Sequence, residues 1–336
     1  MSVKFSIDLN GHFPVGEYVR IAKLAEDHDF DEVHVVDDLG FKPAWPLLAL
    51  IASNTRRIRL GPWLVNPRIA HPVYHAANLA EIDELSEGRA VFCVGRGGFL
   101  GLLGLDEPDK PLTMLRESIQ LTRHLLSNNP AAFDGSVFET HEGMGLRFKV
   151  QRSDIPLLIG TWGTQTAKMA GGVADGFLAS CLTDHVYFQN LVKQFEAGAE
   201  KAGRDSRTLE KAASPLCCIS RNRDLAFEMM RRKLPNMLQY LYPLTKHAGI
   251  EENETPRIKF SIKALDRKQP VPDLGHALSE DQIRFFSTVG TPADVIPQIE
   301  GLIDAGANHI AFSGLLGPDV DEAIELLAKE IVPRFR

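Results

Sequence analysis

No stretch of the chain approaches the ~18 uninterrupted apolar residues of a membrane helix, and Asp8, Asn10 and Gly11 stand where a secretion signal would carry its apolar core. The expected location is therefore cytoplasmic. Positive charge is also short: 37 Lys and Arg against 44 Asp and Glu give a net charge of −7. No window gathers the basic residues into a stripe, which argues against a nucleic-acid partner. Cysteine is scarce, and Cys93, Cys181, Cys217 and Cys218 sit inside apolar runs without zinc-type pairs or the density of a disulfide scaffold. Buried free thiols are expected. What the chain has is 44% hydrophobic and 24% charged residues, the mixture of a folded globular protein.

Several signature motifs are missing as well. The first expected strand ends in Asp8-Leu9-Asn10-Gly11 instead of a dinucleotide-binding glycine fingerprint. Gly95-Arg96-Gly97-Gly98 lacks the third glycine at its proper spacing, and no Gly-Lys-Ser/Thr follows it. There is no Gly-x-Ser-x-Gly elbow and no cysteine with a nucleophile signature. His71 and His75 are four apart, but the residues between them lack the Glu of the zinc-protease motif, so no metal set is expected.

Against these absences stands a regular alternation of short apolar runs with segments of helical period, which predicts βα units around a parallel sheet. Strands are expected at 3–9, 33–36, 58–65, 90–94, 156–160, 176–180, 213–220 and 309–312. Helical stripes include Tyr18, Ile21, Ala22 and Ala25, and later Phe188, Leu191, Val192 and Phe195. Ser279 to Gln282 has the capping-box pattern, and Thr291-Pro292 supplies an N-cap with proline at the first helical position. Eight such units predict one α/β domain over residues 1–336, a TIM-type (β/α)8 barrel. Insertions are expected near 133–150, as a hairpin, and near 234–276.

Barrel sites collect just after the strands, which singles out Asp37 and Asp38, Asn66, Gly95 to Gly98, Thr161 to Thr164, and Ser313-Gly314. Glycines there let a ligand approach the backbone, or only make tight turns. Thr164 precedes a helix whose N–H groups would attract a phosphate. Asp37 and Asp38 can serve as an acid/base pair or cap a helix.

These pieces, with Arg57-Ile58-Arg59-Leu60-Gly61, His71-Pro72, Leu85-Ser86-Glu87-Gly88-Arg89, Ala170 to Gly176, Gly290 to Asp294 and Gly317-Pro318-Asp319, make the chain resemble the bacterial-luciferase-like flavin- and deazaflavin-dependent oxidoreductases. The similarity runs over nearly the whole length and is greatest to the branch holding methylenetetrahydromethanopterin reductase. The resemblance implies a barrel whose cofactor ring lies near the catalytic residues Asp38 and Trp45, with Asp37, Asn66, Gly95 and Gly97 around it. It implies a cis Trp63–Leu64 bond in strand three, with Trp63 and Leu64 among the cofactor-binding residues, and a phosphate held by Thr161, Trp162, Gly163 and Thr164. Deazaflavin relatives often have His after the second-strand Asp, an acid after the fourth-strand glycines, and Arg before His-Pro. This chain has Asp38, Gly98 and Ala70 there.

The expected activity is hydride transfer between F420 and a small-molecule organic substrate. FMN is the alternative cofactor, which would open a monooxygenase route. A non-catalytic flavin-binding or assembly subunit is the rival class. Apolar residues on the helices after strands two and three, with Pro46, Leu47, Leu50, Ile51, Tyr74, Ala77 and Asn78, predict a homodimer or higher homo-oligomer.

Overall fold

The structure is a computed structural model that describes residues 3–38, 40–97, 104–106, 108–238, 241, 243–250 and 278–336. Its strands in chain order are β1 (Lys4–Leu9), β2 (Glu32–Val35), β3 (Arg59–Pro62), β4 (Phe92–Gly95), β5 (Phe133–Asp134), β6 (Glu139–Thr140), β7 (Leu157–Gly160), β8 (Gly176–Ser180), β9 (Glu210–Ser214), β10 (Leu216–Ile219), β11 (Ser287–Gly290) and β12 (His309–Leu316). Parallel pairing runs β3-β2-β1-β12-β9-β8-β7-β4. Backbone bonds such as Val65 N to Cys93 O (3.0 Å) and Val91 N to Leu60 O (2.9 Å) join the two ends, so the sheet closes on itself. The expected barrel is what forms.

The helices are α1 (Val15–Asp27), α2 (Ala44–Asn54), α3 (Pro72–Leu85), α4 (Pro111–Leu126), α5 (Thr164–Val173), α6 (His185–Lys201), α7 (Arg223–Lys233), the short α8 (Pro235–Leu238) and α9 (Leu244–His247), α10 (Glu280–Phe286), α11 (Pro292–Asp304) and α12 (Val320–Leu326). The stripes on α1 and α6 are buried as their spacing requires. Ser279 and Gln282 cap α10 reciprocally, and Thr291 with Asp294 does the same for α11. No helix among the described residues is long and apolar enough to cross a membrane.

Three details differ from expectation. The run at 213–220 is two strands, because Pro215 has no N–H for the ladder. Beyond it β10 pairs with β11 and the upper part of β12. The four-residue β11 carries too little period to be seen in sequence. The hairpin near 133–150 shrinks to β5 and β6, whose turn is held by Glu117 accepting from Ser136 N (2.9 Å), Val137 N (2.8 Å) and Phe138 N (3.1 Å). In the second insertion, Leu234, Leu238, Leu241 and Leu244 pack α8 and α9 onto the core, and residues 251–277 lie outside the described ones.

Alternation along the strands sorts the interior. Phe5, Ile7 and Leu9 face the helices, while Lys4, Ser6 and Asp8 face the lumen. The lumen holds a small apolar cluster of Trp63, Cys93, Leu158, Leu178, Ala212 and Ala311. Below it lies a charged layer of Glu32, His34, Glu210 and His309, joined to Lys4 and Arg59.

The α5–α6 contact depends on the absence of side chains. A Cβ on Gly198 would collide with the Lys168 carbonyl, whereas at Gly172 nothing lies closer than 3.7 Å. Gly198→Ala should lose ~1–3 kcal/mol of stability through overpacking. Gly172→Ala should be neutral or gain up to ~1 kcal/mol from helix propensity. Urea denaturation of the two variants checks the pair.

Candidate functional site

The loop after β3 forms one side of the barrel mouth. The Trp63–Leu64 peptide is cis, as the resemblance implies. The Trp63 ring stacks on His34 with centroids 3.7 Å apart. Leu64 lies across the ends of β4 and β7, occupying the space where side chains at Gly95 and Gly160 would begin; a Cβ on Gly95 would come within 2.8 Å of it. Gly95 therefore makes room for Leu64, a packing role that sequence reading did not separate from ligand approach.

Asn66 is buried beside this loop, and its Oδ1 accepts from Arg68 N (2.8 Å). Its carbonyl lies 3.5 Å from Nε2 of buried His75. Burial pushes the His75 pKa down to about 4, so the ring is neutral at ordinary pH. Gly97 has φ +69°, and its missing Cβ leaves room for the Asn66 amide. His71 Nδ1 accepts from Val73 N (3.2 Å) at the start of α3. The two histidines thus serve a carbonyl and a helix cap.

On the β2 side, Asp37 Oδ1 accepts from Ala44 N (3.1 Å) at the first residue of α2, a capping role, and burial raises its pKa. Half-buried Asp38 lies within electrostatic reach of Cys181, at the end of β8. Trp45, in the first turn of α2, is placed differently from a lumen residue. Its ring lies over Phe92 and His75, with centroids 6.5 and 6.2 Å away, behind the outward face of β4. Only its remaining exposed edge is available to the rim.

The turn after β7 forms the third side. Thr161 Oγ1 accepts from Gly163 N (2.8 Å), Trp162 Nε1 donates to Ser180 O (2.7 Å), and Tyr187 Oη donates to Trp162 O (2.7 Å). These bonds fix the loop. Gly163 is the residue before α5 and supplies no side-chain cap, unlike Asp184 before α6 or Asn222 before α7. Its φ of −92° suits any residue, and a Cβ there would meet only ordinary contacts at 3.5 and 3.6 Å. Neither backbone nor packing demands a glycine, so its bareness leaves the first amides of α5 open to solvent. That is the geometry in which a helix N-terminus receives an anion.

Sequence reading missed the residues that share the mouth with Asp38. Cys181 has φ +51°, and burial, then the acids Asp8 and Asp38, push its thiol up to about 12. Cys218 is likewise pushed up to about 12, and burial raises Cys93 and Cys217. All four are free, buried thiols and poor nucleophiles. Lys233, the last residue of α7, is half-buried, makes no hydrogen bond or ion pair among the described residues, and has its pKa lowered by burial. Its charge reaches both Cys181 and His12. No local motif marks a lysine at the end of a helix as a mouth residue. Gly98 lies outside the described residues.

With this geometry in place, comparison with known proteins is informative. The profile of the luciferase-like monooxygenase family matches residues 3–309. The chain is 30% identical to the 5,10-methylenetetrahydromethanopterin reductase of Methanolobus tindarius over 98% of its length and 99% of the relative's. It is 28% identical to the same enzyme of Archaeoglobus fulgidus, over 99% of the chain and all of the relative. The solved coenzyme F420 dependent tetrahydromethanopterin reductase from Methanopyrus kandleri superposes with a TM-score of 0.89 at 29% identity, each chain being covered completely. On the extent of the profile match and this full-length similarity, the chain belongs to the luciferase-like monooxygenase family.

Proposed function

We propose that the protein is an F420-dependent oxidoreductase that transfers a hydride between the deazaflavin and a small organic substrate at the barrel mouth. The observation that carries this reading is the uncapped N-terminus of α5 behind Gly163, where the side chain is dispensable to the fold. The full-length similarity to reductases of this type supports it. When bound, F420 supplies a two-electron hydride carrier that reacts poorly with oxygen.

The protein's own contribution is placement. Thr161, Gly163 and Thr164 receive the phosphate, Trp162 holds their loop, and the Trp63–Leu64 segment forms the floor under the ring. Asp37 and Asn66 fix the β2 and β3 loops through their backbone partners, while Gly97 lets Asn66 close on the β4 loop. Asp38 is the acid group within reach of the substrate, and Trp45 backs the rim.

Titration of the purified protein with F420 and, separately, FMN tests the cofactor: saturable binding of F420 with substrate-dependent bleaching supports the reading, and selective FMN binding with oxygen uptake replaces it with the monooxygenase. Gly163→Leu should fold normally and weaken F420 binding at least ~10-fold by blocking backbone approach; unchanged affinity moves the phosphate elsewhere. Asp38→Asn should lower kcat by ~10²-fold or more, the scale of general acid–base catalysis, with cofactor affinity nearly intact. Full turnover across pH makes Asp38 a structural residue.

We also propose a homodimer across α2 and α3. Leu47 and Ile51, expected on that surface, are buried in the chain's own core. Exposed Phe41, Leu50, Ile69 and Tyr74 remain there, at 39, 41, 44 and 69% accessibility. Sedimentation should give a mass near twice 37.2 kDa, and Leu50→Asp with Tyr74→Asp should return it to the monomer value.

A further inference from the structure

Among the described residues, Asp8 Oδ1, His34 Nδ1 and Trp63 Nε1 in the barrel lumen lack a hydrogen-bond partner, and Glu32 Oε2 and His34 Nε2 have only each other, 3.3 Å apart. All belong to residues no more than 5% exposed. Each such orphan costs ~1–3 kcal/mol, so a fold that keeps several together implies an occupant. We propose that Glu32, His34 and His309 bind a divalent transition-metal ion of the zinc class inside the barrel, next to the His34–Trp63 stack.

The donor atoms are arranged for it. One ligand atom from each of the three residues lies within 4.8 Å of the others. Glu32 Oε2 and His34 Nε2 are 3.3 Å apart and face each other. Two ligands each ~2.0–2.1 Å from a tetrahedral zinc are about 3.3 Å from one another, so the spacing matches an edge of the coordination tetrahedron. The other Glu32 oxygen is taken by Arg59 Nη1 (2.7 Å) and Lys4 Nζ (3.2 Å), which leaves Oε2 as a single, oriented donor.

His309 carries the outer partner that metal-binding histidines use. Its Nδ1 is 2.8 Å from Glu210 Oε1, so the carboxylate fixes the ring and turns Nε2 inward. Nε2 lies 2.7 Å from the Ser6 hydroxyl, a group free to rotate away.

Charge and chemistry narrow the ion. The lumen holds the carboxyl groups of Asp8, Glu32 and Glu210 against the cations Lys4 and Arg59. Two imidazoles and one carboxylate favour zinc and its neighbours over calcium or magnesium, which take oxygen ligands. The fourth position is left to water. A cleft of about 440 Å³ at the closed end of the barrel, lined by acids and cations in equal number, reaches Glu32 from the outside.

The test uses the untagged full chain with zinc and cobalt as probes. Protein produced in zinc-supplemented medium and dialysed against metal-free buffer should retain close to one zinc per chain by elemental analysis. Refolding with Co²⁺ should give the visible absorption of a four-coordinate cobalt site and quench tryptophan fluorescence through Trp63. His34→Gln should lose at least ~10-fold of the retained metal while keeping the far-ultraviolet dichroism of the parent, and His71→Gln should keep its metal. A wild-type chain with neither zinc nor a cobalt band overturns the proposal. So does equal retention in His34→Gln, which would mark an adventitious ion only. If His34→Gln does not fold, the cobalt spectrum of the wild-type chain decides, its presence supporting the site and its absence refuting it.

Discussion

A carboxylate shut away from water stays ionised only where its neighbours offset the lost hydration, and Glu32 sets that condition for the barrel. Burial alone would raise its pKa, yet His34, His309, Arg59 and Lys4 together hold it well below the usual range. Those partners come from β1, β2, β3 and β12, and Lys4 reaches on to Glu210 of β9 at 2.6 Å. Five strands are therefore tied through one charged layer. A slip of β1 by one residue would turn Phe5, Ile7 and Leu9 into this layer and drive Lys4, Ser6 and Asp8 into the helix interface. The lumen thus fixes register as firmly as the outer core does. Because Trp63 stacks on His34, the floor of the mouth inherits its position from the layer beneath.

The two ends of the barrel differ in what fills the gaps between strands. The closed end is tied by ion pairs such as Arg59–Glu32 and Arg336–Asp31, at 2.7 and 2.8 Å. At the open end, glycines replace side chains, Leu64 spans the gaps they leave, and α5 begins without a cap. Caps and ion pairs stabilise a fold but occupy the groups a ligand would use. Other helices that start at that end are capped by side chains, among them α3, α6, α7, α10 and α12, whereas α5 offers its first amides bare.

Much of this was legible in the sequence, and the limits were physical. Core-facing stripes such as Tyr18, Ile21, Ala22 and Ala25 follow helical period, so the helices and their caps were readable. Strand ends followed from the strands, which brought Asp38, Asn66 and Thr161 to Thr164 into view. The lumen was not foreseen, because parallel strands were read as apolar on both faces. The signal was present in Lys4-Phe5-Ser6-Ile7-Asp8-Leu9 and Glu32-Val33-His34-Val35, where strict alternation in a buried strand reports a polar interior. Gly95 was singled out by position, and its lack of a side chain also makes room for Leu64, thirty-one residues earlier in the chain. Lys233 and Cys181 reach the mouth only through tertiary packing, which no local pattern encodes.

What distinguishes this mouth is its choice of titrating groups. An imidazole changes charge near neutrality, whereas a carboxylate ordinarily changes it several units lower. Cys181 cannot take over, because burial and two nearby acids keep its thiol protonated. Lys233 is pushed the other way, since burial lowers its pKa. The mouth therefore brings one carboxylate and one partly desolvated ammonium to the same buried thiol. On a barrel that hosts many chemistries, rim residues like these are where one member departs from another.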